Sequence, residues 1–112
     1  MLKVEMKPVI DVYAICRHFG THWSDYEFSQ EAKNGSYQVV CCDNITLNFL
    51  QERLVYEQKK ESSLTVADFE NEDEWQWHKR HSRANRLQNQ IALVEYLREQ
   101  GYSESVLIHV YW

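Results

Sequence analysis

The chain opens on an alternation of apolar and charged residues. Leu2, Val4 and Met6 are interleaved with Lys3, Glu5 and Lys7, a period of two that predicts a short strand. Pro8 suits the first turn of a helix. Val9, Val12, Cys16 and Phe19 then recur at spacings of three and four, and Gly20 is placed to end the run. A helix over 8–19 is expected. In the next stretch, Asn34-Gly35 is the strongest turn signal, because both residues tolerate positive φ. Tyr26, Phe28 and the run 37–42 have strand character on either side of it. The pattern predicts a hairpin there, with a short helix over 25–33 as the competing reading.

Asn44 or Thr46 can cap a second helix. Leu47, Leu50 and Leu54 form its apolar stripe, with Phe49 and Tyr56 flanking, before it frays into the polar run EQKKESS. Residues 64–67 read as a short strand or a lead-in to the next helix. A long last helix is expected over 72–100, marked by Leu87, Ile91 and Val94, bordered by Leu97 and closed by Gly101. Residues 105–112, SVLIHVYW, are β-branched and aromatic and read as a final strand. Interleaved strands and helices imply the α+β class. The expected architecture is a small, mostly antiparallel sheet packed against about three helices, with the long C-terminal helix followed by the final strand. If that strand is internal it closes the sheet; if it is an edge it invites a homodimer.

Length adds that 112 residues form one domain, 1–112, large enough to bury a core without disulfides or metals. Three Gly and one Pro leave room mainly for regular structure. The formal charge of −5 argues against phosphate binding by the surface as a whole. Charges interrupt every apolar stretch of the N-terminus, so neither a secretory signal nor a membrane span is expected. Cys16, Cys41 and Cys42 are an odd set with an adjacent pair, which is no disulfide framework. A reduced, cytoplasmic setting is the expectation.

Candidate chemistry concentrates in 70–86, ENEDEWQWHKRHSRANR. The acidic group Glu70, Glu72, Asp73 and Glu74 runs into Trp75 and Trp77. Lys79, Arg80, Arg83 and Arg86 follow. At ~100° per residue along one continuous helix, Arg80 and Arg83 fall on the face of Leu87, Ile91 and Val94. His78 and His81 fall opposite. Two readings compete. Arg and Trp are frequent interface anchors, so the ten charged and aromatic residues named here form a candidate partner-binding surface. Alternatively, the acids favour the helix N-terminus and the cations find carboxylates within the fold. A break near Ser82 would void the shared face.

A nucleic-acid reading uses the same cations with Trp stacking, although the adjacent acids repel phosphate. The reverse is mimicry of nucleic acid by the six carboxylates and no cation of 61–74. Cys16, His18 and His22 form one suggestive metal cluster and His78 with His81 another, but neither has a familiar zinc spacing. Cys41 and Cys42 lack an assigned histidine base, and no Gly-rich phosphate loop is present. No metal, cofactor or catalytic residue is assigned. The expectation is a small non-enzymatic protein that binds another protein as an inhibitor, immunity or anti-defence factor, with no membrane partner. The nucleic-acid regulator and the small zinc-binding or nucleic-acid-mimicking domain stand as alternatives.

Overall fold

The computed structural model describes residues 7–111, so the strand expected at 2–6 lies outside the described residues. Val9–Asp11 forms strand β1 and Val12–Phe19 helix α1. The helix starts four residues later than the sequence suggested. Val9 and Ile10 are drawn into a parallel ladder opposite Leu107 and Ile108. Asp11 becomes the cap, its side chain accepting from Tyr13 N at 2.8 Å. Pro8, with no N–H to lose, accepts from Leu107 N at 2.8 Å, a role that proline fills at a sheet edge. Gly20 ends α1 in the left-handed region at φ 66°.

The expected hairpin around Asn34-Gly35 is absent among the described residues. Its first arm is two 3-10 turns, Trp23–Asp25 and Glu27–Gln30, closer to the competing helical reading. Short polar side chains take over the backbone here: His22 and Asp25 form a capping box, and Ser29 Oγ donates to Tyr26 O. Tyr26 is wholly buried and stacks on Phe28. Gly35 does turn the chain, at φ 82°, and delivers it into strand β2, Ser36–Cys41.

Helix α2 spans Asn44–Ser62 and is capped by Asp43, not by Asn44 or Thr46. Thr46 is the donor, its N–H 2.7 Å and its hydroxyl 3.1 Å from the Asp43 carboxylate. The run EQKKESS is helical to Ser62 rather than frayed, and 64–67 leads into a 3-10 turn at Val66–Asp68. Helices α3, Glu72–His81, and α4, Arg83–Glu99, replace the single helix expected over 72–100. Ser82 separates them. Its backbone is extended (φ −69°, ψ 157°), and its Oγ accepts from Asn85 N at 3.2 Å and donates to Lys79 O at 3.2 Å. It therefore ends one helix and caps the next. Gly101, at φ 99°, stands just beyond α4 as expected.

Strand β3, Ser105–Val110, is the centre of a three-stranded sheet ordered β1-β3-β2. It pairs antiparallel with β2, Ser36 opposite Val110 through Cys41 opposite Ser105, and parallel with β1. The α+β class holds, with a long C-terminal helix leading into the final strand. Because β3 is internal, the edge-pairing route to a homodimer does not run through it. One sheet face, with Val40, Val106, Ile108 and Val110, packs on Leu93, Val94 and Leu97 of α4 and on Val12, Ile15 and Cys16 of α1. On the other face Val9, Leu107 and Val39 stand in one row, and Val9 and Val39 are exposed.

Candidate functional site

Helix α3 holds seven of the ten candidate residues, with Glu70 just before it. Asn71 caps it, Oδ1 accepting from Glu74 N at 2.8 Å, and Glu74 reaches back to accept from Glu70 N at 3.1 Å. Glu72, Asp73 and Glu74 fill the first turn and are exposed. They sit where the helix dipole favours carboxylates. No cation of the described residues pairs with them. Glu74 does not take His78, which lies 3.1 Å from Glu61 at the end of α2 and packs on Phe69.

The two tryptophans behave differently. Trp75 is half-buried against Phe69, with Lys79 Nζ 4.8 Å above its ring. Trp77 is 59 % exposed and tilts over His81. Arg80 is exposed, and no ion pair reaches it among the described residues.

Arg83 and Arg86 belong to α4 and do a different job. Arg83 Nε donates to Glu27 Oε1 at 2.8 Å and Arg86 Nε to Glu27 Oε2 at 3.2 Å. Arg83 also lies 3.6 Å from the buried Glu57 carboxylate, and Arg86 Nη1 donates to His81 O at 2.9 Å. The Glu27 hydrogen bond raises the Arg83 pKa further above its ordinary value. Gln90 Oε1 accepts from Glu27 N at 3.2 Å, and Asn89 Nδ2 donates to Asp25 O at 3.1 Å. Four consecutive-turn side chains of α4 thus pin the 3-10 segment. The break at Ser82 also removes the shared face calculated for Arg80 and Arg83, since the two residues lie on separate helices.

Beside this cluster lies a cleft of about 500 Å³ between β2, α2, α4 and the 3-10 segment, a size typical of ligand clefts. Leu50, Leu87 and Val94 form its apolar wall, and Glu27, Glu31, Arg53, Arg83 and Arg86 its charged lining. Val39 and Phe49 on its rim are 52 % and 62 % exposed. Sequence reasoning reached Arg83 and Arg86 but missed Glu27, Arg53 and Glu57. Glu27 sits in a stretch with no periodicity, and Glu57 continues the Leu47, Leu50 and Leu54 face of α2 as a carboxylate in a polar run, a residue type that ordinarily signals solvent.

The cysteine and histidine candidates disperse. Cys16 and Cys42 are in the core, and burial pushes both thiols up, the reverse of an activated nucleophile. Cys41 Sγ lies 3.8 Å from Ser105 Oγ. His18 stacks on Tyr96 and His22 caps a 3-10 turn. Among the described residues no three His, Cys, Asp or Glu side chains converge as metal ligands. No helix there is long and apolar enough to cross a membrane. No protein-family model matches the chain, and no curated protein or solved structure is similar to it.

Proposed function

We propose that this chain is a small non-enzymatic protein that acts by direct contact with another protein, through the exposed face of α3. The observation that carries the reading is that α3 buries none of its residues while it holds Trp77 in solvent. A carboxylate turn lies at one end of the helix and Lys79 and Arg80 at the other. Tryptophan is among the residue types most enriched at the centres of protein interfaces. Mixed charge around an aromatic anchor is the composition of a protein interface rather than of a phosphate surface. Arg83 and Arg86 are engaged by Glu27, which leaves Lys79 and Arg80 as the cations of this face. Glu70, Glu72, Asp73 and Glu74 supply the register-setting charges beside Trp77, and half-buried Trp75 supports the helix. The role that best suits a small acidic binder of this kind, in the cytoplasm, is that of an inhibitor, immunity or anti-defence factor.

The test is capture from the source cell with the chain as bait, compared with Trp77→Ala and with Arg80→Glu. Both variants keep the parent melting temperature, since neither side chain is buried, and both lose the captured protein. Capture that survives both changes refutes the α3 face. A melting temperature that falls in step with lost capture shows instead that Trp77 is structural.

A further inference from the structure

The edge of β2 is open, and its backbone points into the cleft. Cys42 N donates to Glu104 O at 2.6 Å, and Leu107 N donates to Pro8 O at 2.8 Å. From Gln38 onward the even-numbered residues of β2 therefore bond to β3, while the odd-numbered residues of β3 turn toward β1; at the start of the strand Gly35 N donates to Val110 O and Ser36 N to Lys33 O. Tyr37, Val39 and Cys41 must then direct their N–H and C=O groups outward. No backbone or side-chain hydrogen bond reaches these outward groups among the described residues. Val39 and Val40 point to opposite faces of the sheet, yet both line the cleft together with Cys41. A cleft that touches both faces of a strand runs along its edge.

Edge strands are normally guarded by charge, proline or brevity. β1 has all three: Pro8 before it, Asp11 at its end and three residues in total. β2, with the sequence SYQVVC, has six residues and none of these guards. Outward groups repeat every two residues, ~6.8 Å apart, a pattern that only another extended backbone matches. The cleft lining carries three arginines against two glutamates, in a chain of net charge −5. Arg53 at the rim meets Glu57 only at 3.9 Å, beyond hydrogen-bonding distance, and lies over the Tyr56 ring. Its donors are available to a ligand carboxylate.

We propose that the free edge of β2 takes an extended, acidic peptide segment of a partner protein as a fourth strand. Backbone groups at Tyr37, Val39 and Cys41 bind its main chain. An apolar side chain of the segment rests on Val39 and Phe49, and an Asp or Glu pairs with Arg53. This site shares no residue with the exposed face of α3, so the two readings fail separately.

The experiment is affinity selection on the intact chain with a displayed library of linear heptapeptides, followed by synthesis of the enriched sequences. The expected sequences alternate apolar residues and carry an Asp or Glu. Val39→Pro removes one outward N–H without touching the β3 ladder, and it weakens binding by at least about tenfold. N-methylation of alternate peptide amides abolishes binding in one register only. That result needs no protein variant and decides the question even if Val39→Pro fails to fold. Arg53→Glu weakens the acidic peptides selectively. The proposal is overturned if no sequence is enriched over an unrelated protein of the same size. Binding that ignores both N-methylation registers also overturns it. So does self-association in ultracentrifugation that Val39→Pro abolishes, because the edge would then belong to a second copy.

Discussion

Replacing Glu27 by Gln tests whether the basic start of α4 is an internal clamp. The carboxylate holds two guanidiniums from adjacent turns, at 2.8 Å and 3.2 Å. Charge-assisted hydrogen bonds contribute ~1.5–3 kcal/mol each when buried, whereas exposed ion pairs contribute ~0.2–1 kcal/mol. The Glu27 side chain is 17 % exposed and that of Arg83 41 % exposed, so the Arg83 bond is discounted toward the lower range and the Arg86 bond less so. Gln keeps one carbonyl oxygen as an acceptor and loses the charge. The expected cost is about 1.5 kcal/mol, which for a domain of this length lowers the melting temperature by roughly 6 °C.

Circular dichroism melts of Glu27→Gln, Arg83→Met and the double variant form the assay. The coupling energy expected from the cycle is about 1 kcal/mol. High salt narrows the gap between parent and Glu27→Gln, since the cluster is only partly shielded from solvent. A loss below ~0.3 kcal/mol, with coupling indistinguishable from zero, would refute the clamp. Arg83 and Arg86 would then be available to a partner or to phosphate.

Four further outcomes follow from local structure. Ser82→Ala removes the cap of α4 and the stop of α3 and costs about 1 kcal/mol in urea unfolding, whereas Ser82→Gly costs only a few tenths. Leu97→Ala empties a fully buried position of α4 and destabilises by ~2–5 kcal/mol, the largest effect expected here. The Tyr111 hydroxyl, 2.6 Å from Asp11, holds that carboxyl below its usual range. Its stabilisation is present above the unfolded value, ~3.9, and is lost as pH falls through the lowered folded value. Tyr111→Phe therefore melts below the parent at pH 7, and the gap closes on acidification; a gap that stays constant to pH 2 contradicts this. Trp75→Ala lowers the melting temperature while Trp77→Ala does not, because only Trp75 packs on Phe69.

Legibility in the sequence tracked how local each cause is. Residues 105–110 read as a strand because an internal strand carries its own apolar, β-branched signal, and β3 proved to be the centre of the sheet. Of the stripe Leu87, Ile91 and Val94, the first and last are buried in α4, as is the bordering Leu97, while Ile91 is only partly buried. β1 was not legible, because a three-residue parallel strand exists only through a partner almost a hundred positions away. Tyr26 and Phe28 have high strand propensity, but polar neighbours bonding to the backbone overrode it. At the candidate site, self-pairing by the basic residues was foreseeable and the partner was not. The nearest acids in sequence, 70–74, pair with no described cation, while Glu27 and Glu57 arrive from other elements.

The polarity of α2 bears on what the molecule is built to do. Its one buried residue is Glu57, 7 % exposed, whereas Ile45 is 83 % exposed and Phe49 lines the cleft rim. A surface helix ordinarily places its acids outside and its Ile and Phe inside. Here Leu47 and Leu50 do pack on the core, but further along the helix the buried Glu57 carboxylate lies 3.6 Å from Arg83 and 3.9 Å from Arg53 and Lys60. Covering a side chain such as Ile or Phe is worth ~1.5–3 kcal/mol, and the fold forgoes that at two positions on one helix. Of the two, Phe49 lines the cleft along the open edge of β2. Phe49, Val39 and the outward strand groups, together at one cleft, are what the proposed extended segment would cover at once.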